Sequence, residues 1–197
     1  MRPMLLSLCG SDIRRLYYPL PGRPPLPLGA PGHEMIGLVE DMANDSERVK
    51  RGDVALVLVP SHENAMAEYC TASIENVLPL PAGCPLEQLL MAQQLGTVIF
   101  ACRRLPSLEG RVAVVIGQGS AGLFWDAMLR RKGLSKVIAL EPQQARLDAG
   151  RDFGATHSIN PVRTDPLQAV AEANGGQWAD LVVEACGEVE KTWRQSS

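Results

Sequence analysis

The run Val112-Ala113-Val114-Val115-Ile116 passes directly into Gly117-Gln118-Gly119-Ser120-Ala121-Gly122, and this junction limits the possible folds more than any other part of the chain. A continuous apolar run rich in β-branched residues reads as a parallel strand buried on both faces. Glycines at G-x-G-x-x-G spacing then turn the chain tightly and start a helix from about Ser120 to Lys132. Further strand and helix patterns follow in alternation. They are strands at Val137–Leu140, His157–Ile159 and Asp180–Glu184, with helices over Gln143–Phe153 and Asp165–Ala173. The order β-α-β-α-β-α-β is that of a doubly wound parallel sheet.

The glycine turn also has a chemistry. Gly117 permits the turn, Gly119 leaves room for a ligand against the backbone, and Gly122 lets helix and strand pack closely. The amides of Ser120 and Ala121 lie in the first turn of that helix, where free N–H groups and the positive dipole end favour a phosphate. Glu141 stands 24 positions after Gly117, at the end of the second strand. A carboxylate there binds a ribose 2′-hydroxyl and repels a 2′-phosphate, so NAD is expected over NADP. Arg146, nearby, weakens that preference. Gly187, just past the fourth strand, is counted with the cofactor-binding residues.

The first half reads differently. Pro19 to Pro31 is proline-rich and cannot be helical. Short strand patterns follow at Met35–Glu40, Val54–Val59, Glu68–Thr71 and Val77–Leu80, with a polar turn from Ala43 to Asp53, which suggests a compact β structure. Over residues 86–105 apolar positions recur at three- and four-residue spacing, predicting one helix with a buried face. The expected organisation is a β-rich domain over residues 1–105 and an α/β domain over 106–197.

Composition excludes several classes. The net charge of −3 comes with no basic stripe, which argues against nucleic acid as a partner. No apolar run approaches the roughly 18 residues of a membrane helix, and the short start at Leu5-Leu6 is no signal peptide, so the expected location is the cytoplasm. The five cysteines, Cys9, Cys70, Cys84, Cys102 and Cys186, are widely spaced without C-x-x-C, which argues against a disulfide framework. Most are expected to be buried thiols.

Cys9-Gly10-Ser11-Asp12 and Gly32-His33-Glu34 form a second cluster of chemically capable residues, since cysteine and histidine ligate zinc and carboxylates orient such ligands. By spacing alone a structural role is the commoner one. The ordered set "CGSD", "GHE" followed by "xxGxVE", "RGDVALV", "AEYC" and the glycine turn resembles the zinc-type medium-chain dehydrogenases. It is closest to their sorbitol- and threonine-dehydrogenase-like polyol branch. The resemblance covers essentially the whole chain. It implies a partial GroES-like catalytic domain followed by a partial Rossmann domain, an overall α/β fold.

It further implies that Cys9 and His33 hold a catalytic zinc, that Ser11 relays the substrate proton, and that Glu34 and Asp12 are supporting acids. Thr97 matches the residue beside the nicotinamide. The implied activity is hydride transfer between a secondary alcohol or polyol and NAD, in full-length relatives that form homo-oligomers.

The departures are specific. The family's third protein ligand, a Cys or Glu, falls on Gln93, whose neutral amide oxygen is a poor zinc ligand. Arg14 stands where some members carry a proton-shuttling histidine. Val59 to Glu68 carries no cysteine, so no structural zinc is expected. Two other readings stand beside this one. One is a zinc-free quinone or enoyl reductase of the same superfamily, favoured by Gln93. The other is a nucleotide-binding remnant without turnover. The family pattern also has strands before the first motif and after the last, so the chain alone is expected to be marginally stable, aggregation-prone and inactive.

Overall fold

A computed structural model describes residues 1–17, 25–58 and 65–187. The chain forms two compact units, Met1–Gln93 and the part from Gln94 onward. This contact division falls inside the helical stretch that the sequence reading assigned whole to the first domain.

The first unit is built on a four-stranded antiparallel sheet ordered β1 (Arg2–Ser7), β2 (Glu34–Leu38), β3 (Val54–Leu58), β4 (Val77–Pro79). Side chains alternate across the sheet, so consecutive residues enter different cores. Met35 and Val57, directly paired, pack with Ala65 and Cys70 on one face. Ile36 and Leu56, the next pair, pack on the other face with Leu90 of helix α2 (Leu86–Leu90). Burying each such aliphatic side chain is worth about 1.5–3 kcal/mol. Helix α1 (Gly10–Tyr17) follows β1.

Three expectations for this unit change. Arg2–Ser7 is a strand and Gly10–Tyr17 a helix, neither of which the sequence patterns indicated. Glu68–Thr71 is not a strand: among the described residues its backbone pairing is confined to Cys70, which exchanges hydrogen bonds with Met1. The helix over 86–105 is two helices, α2 and α3 (Ala92–Cys102), separated at Met91. The proline-rich segment and the stretch from Val59 to Glu68 lie partly outside the described residues.

The second unit is a parallel sheet ordered β7 (His157–Ile159), β6 (Lys136–Leu140), β5 (Val112–Ile116), β8 (Leu181–Glu184). Helices α4 (Ser120–Arg131) and α5 (Gln144–Asp152) lie between the strands in sequence, and α6 (Pro166–Ala173) precedes β8. Ala113, Val115 and Val137 pack against Leu129 of α4 on one face, while Val114, Ile138 and Ile159 pack against Val170 of α6 on the other. The apolar run of β5 is thus buried on both faces, as its composition requires. Asp180 clips β8 to β5 by accepting from the Val112 amide at 2.9 Å and from Arg111 at 2.9 Å. The Val112 amide in turn holds the Asp180 carboxyl below its ordinary pKa. No helix among the described residues is long and apolar enough to cross a membrane.

Candidate metal centre and nucleotide turn

The β1–β2 register places Ser7 directly opposite Glu34. Cys9 lies two residues beyond Ser7 and His33 one before Glu34, so this register brings two distant sequence motifs together. The donor atoms of Cys9, His33 and Glu34 all lie within 4.8 Å of one another. Zinc bonds of about 2.0–2.3 Å in tetrahedral geometry need donors roughly 3.3–3.8 Å apart. Small side-chain movements close that difference.

Asp12 organises the cluster from beneath. It is 0% exposed. Its Oδ2 accepts the Cys9 amide at 2.8 Å, and its Oδ1 lies 3.1 Å from His33 Nδ1. The first contact is half of a capping box, in which an acid in the first helical turn reaches back to the amide ahead of the helix. The second leaves His33 Nε2 for a metal when Nδ1 carries the proton, the usual way a carboxylate orients a ligating histidine. Nε2 faces Glu34, 3.9 Å from Oε1. Glu34 is 1% exposed, and its other oxygen accepts from the Ser7 hydroxyl.

Ser7 was not singled out from the sequence; only the pairing of β1 with β2 reveals it. Ser11 lies on the exposed side of α1. Gln93 is the second residue of α3 and Thr97 is exposed further along it.

In the second unit the glycine turn has the geometry its sequence requires. Gly117 has φ of +91°, and a Cβ there would meet Cys186 Sγ at 2.7 Å. A Cβ on Gly122 would overlap the Gly117 carbonyl oxygen, so strand and helix touch backbone to backbone at this point. Gly119, which begins α4, faces open space. Ser120 and Ala121 form the first turn of α4, and Gly187 caps the end of β8 with its amide donating to Glu184 at 2.9 Å.

Glu141 is buried at the end of β6. Its Oε2 accepts the Gln118 amide at 2.9 Å and its Oε1 the Gln143 amide at 3.0 Å. Arg146 Nη1 is 3.8 Å from Oε2. The turn stands where the chain leaves β5 toward β6 on one side while β8 flanks β5 on the other, the switch point at which doubly wound sheets bind ligands. An apolar cavity of about 310 Å³ in this unit is lined in part by Ile116, Pro142 and Cys186, which flank Gly117 and Glu141.

The expectation that most thiols are buried does not hold: Cys70 and Cys102 are buried, which raises both thiol pKa values, while Cys84 and Cys186 are exposed and Cys9 is half-buried.

Two family models match. The alcohol dehydrogenase GroES-like domain covers residues 2–98 and the zinc-binding dehydrogenase model residues 122–197. An L-threonine 3-dehydrogenase of Caldanaerobacter subterraneus subsp. tengcongensis is 26% identical over 207 residues, covering 92% of this chain and 59% of that protein. A probable D-xylulose reductase A of Emericella nidulans is 24% identical over 215 residues, with the same 92% and 59% coverage. The fold matches the crystal structure of an Escherichia coli oxidoreductase/dehydrogenase of unknown specificity with a TM-score of 0.82 at 18% identity, over 97% of this chain and 63% of that one. With the two domain models in order along one sequence and the antiparallel and parallel sheets to match, the chain belongs to the zinc-type medium-chain alcohol and polyol dehydrogenases, spanning 59% of the length of these curated relatives.

Proposed function

We propose that this chain carries the zinc and nucleotide sites of an NAD-linked dehydrogenase of secondary alcohols or polyols. The observation that carries the proposal is the convergence of Cys9, His33 and Glu34, a thiol, an imidazole and a carboxylate within 4.8 Å of one another. These donors fit zinc by type and by spacing, with Asp12 fixing two of them. In this reading Glu34 is a third donor, and zinc binding does not depend on Gln93. Bound zinc would polarise the substrate oxygen and lower its proton affinity.

Ser11, in the first turn of α1, accepts the substrate proton and passes it to solvent. Thr97 borders the nicotinamide. The amides of the glycine turn receive the pyrophosphate, Gly119 leaving space for its approach. Each Glu141 oxygen accepts one amide in the fold, and a carboxylate has about four acceptor sites, which leaves capacity for ribose hydroxyls. That fixed negative charge supports NAD over NADP. The catalytic and nucleotide domains are assigned to residues 1–105 and 106–197.

Elemental analysis and calorimetry on the purified chain test this. One zinc per chain together with micromolar NAD binding is the expected result. NAD binding without zinc would instead favour a zinc-free reductase of the same superfamily. Failure to bind either would remove the proposal.

A further inference from the structure

The side chain of Gln118, between the first two glycines of the turn, does not face the ligand side. It is 1% exposed and directed into the protein, toward Asp126 of α4, which is 0% exposed. Its Nε2 lies 3.6 Å from where a Cβ of Gly122 would stand. A Cβ on Gly150 of α5 would come within 2.7 Å of Gln118 Oε1 and 3.5 Å of Asp126 Oδ2. The absence of a side chain at Gly150 is what makes room for the pair. None of the four side-chain polar atoms of Gln118 and Asp126 has a hydrogen bond of regular geometry among the described residues. A buried amide and a buried carboxyl in this state are costly unless they share a proton favourably.

Among the described residues no cation pairs with Asp126. From its own helix, Arg130 stands one turn on and donates to the carbonyls of Leu134 and Ser135. From α5 comes Gly150, while Asp148 and Arg151 pair with each other at 2.7 Å on the exposed side. From the end of β6, Glu141 accepts the backbone N–H of Gln118. Burial pushes the Asp126 carboxyl up to about 7, and the nearby Gln118 side chain, which favours the ionised form, opposes that rise.

We propose that Asp126 is a positioning residue for the nucleotide turn, acting through Gln118, and that binding of an anionic dinucleotide at the turn is linked to protonation of Asp126. Protonated Asp126 is neutral and donates to Gln118 Oε1. This anchors the residue whose backbone begins the pyrophosphate cradle. Ionised Asp126 puts an uncompensated negative charge in a low-dielectric site behind that cradle, where it opposes a bound diphosphate. The inference rests on the reading of Gly117–Gly122 as an NAD site.

The test is NAD binding by calorimetry between about pH 6 and pH 8, on the wild-type chain and on Asp126→Asn, which keeps the shape and hydrogen bonding of the neutral acid. For the wild type, the dissociation constant is expected to rise about fivefold across this range, as a one-unit coupling between proton and ligand requires for a group titrating near 7. For Asp126→Asn it should change less than about twofold. Titrations of the wild type in two buffers of different ionisation enthalpy provide a second readout that needs no variant, and should show net proton uptake near pH 7. NAD affinity independent of pH in the wild type, or an equal pH dependence in Asp126→Asn, would overturn the role of Asp126 while leaving the NAD site in place. No NAD binding at any pH would overturn the nucleotide reading itself.

Discussion

His33 Nδ1 and Asp12 Oδ1 lie 3.1 Å apart, and the other oxygen of the same buried carboxylate holds the Cys9 amide. One acid therefore sets the direction of two of the three converging donors. Asp12→Asn keeps the shape but cannot accept both contacts as an anion. Zinc affinity is expected to fall about 10–100-fold, the usual cost of losing such a partner. Competition with a chromophoric chelator measures it, and an unchanged affinity would remove Asp12 from this role.

Glu34 and Gln93 make opposite predictions. If Glu34 supplies the third donor, Glu34→Gln lowers zinc affinity by more than about tenfold, because a neutral amide replaces an anionic oxygen. Gln93→Ala then leaves zinc affinity within about twofold of wild type. Equal losses at Glu34 and Gln93 would contradict this assignment.

The glycine turn separates packing from binding. Gly122→Ala forces a methyl group into the Gly117 carbonyl, so urea denaturation should show a loss of about 1–3 kcal/mol. Gly119→Ala meets nothing within 4 Å. Its stability should stay within about 0.5 kcal/mol of wild type, while NAD affinity drops because the methyl occupies the approach of the pyrophosphate.

Asp126 also sets a pH dependence of stability. Its folded pKa of about 7 lies above the ordinary 3.8, so folding favours the protonated acid. That contribution is complete below about pH 4 and is lost as the pH rises toward 7. Over this window the stability of Asp126→Asn relative to wild type should grow by roughly 1.4 kcal/mol per pH unit at most, then level off. Denaturation curves at several pH values check the slope. A difference that does not vary with pH would mean that Asp126 titrates normally.

Much of this architecture was legible in the sequence because period and composition agreed. Val112–Ile116 reads as a strand buried on both faces and is one, Val137–Leu140 reads as the next strand and forms β6, and the helix read from Asp165 is α6, with Asp165 accepting the Gln168 amide at 2.8 Å. β1 was not legible, because Pro3 and the irregular pairing between Pro3 and Leu5 hide its alternation. α1 was hidden for another reason: it is only eight residues long, too short a run for the spacing of Ile13, Leu16 and Tyr17 to stand out.

In the site, Cys9, His33 and the glycines could be named from motifs. The donor position of Glu34 could not, since it depends on Ser7 meeting it across two strands. The Gln118–Asp126 pair was equally hidden, as Gln118 occupies a position where the motif permits any residue and Asp126 lies beyond the motif in α4.

The pairing of β8 with β5 has a consequence for the order in which the protein acquires its properties. Asp180 bonds Val112 across 68 positions, and Ala185 and Cys186 form the wall behind Gly117. On the ribosome, β5, its glycine turn, α4 and β6 all emerge before that wall exists. Local contacts form early and long-range strand pairing forms late. A nascent chain halted ahead of β8 should gain no protease protection from NAD, and one extended past Gly187 should gain it in a single step.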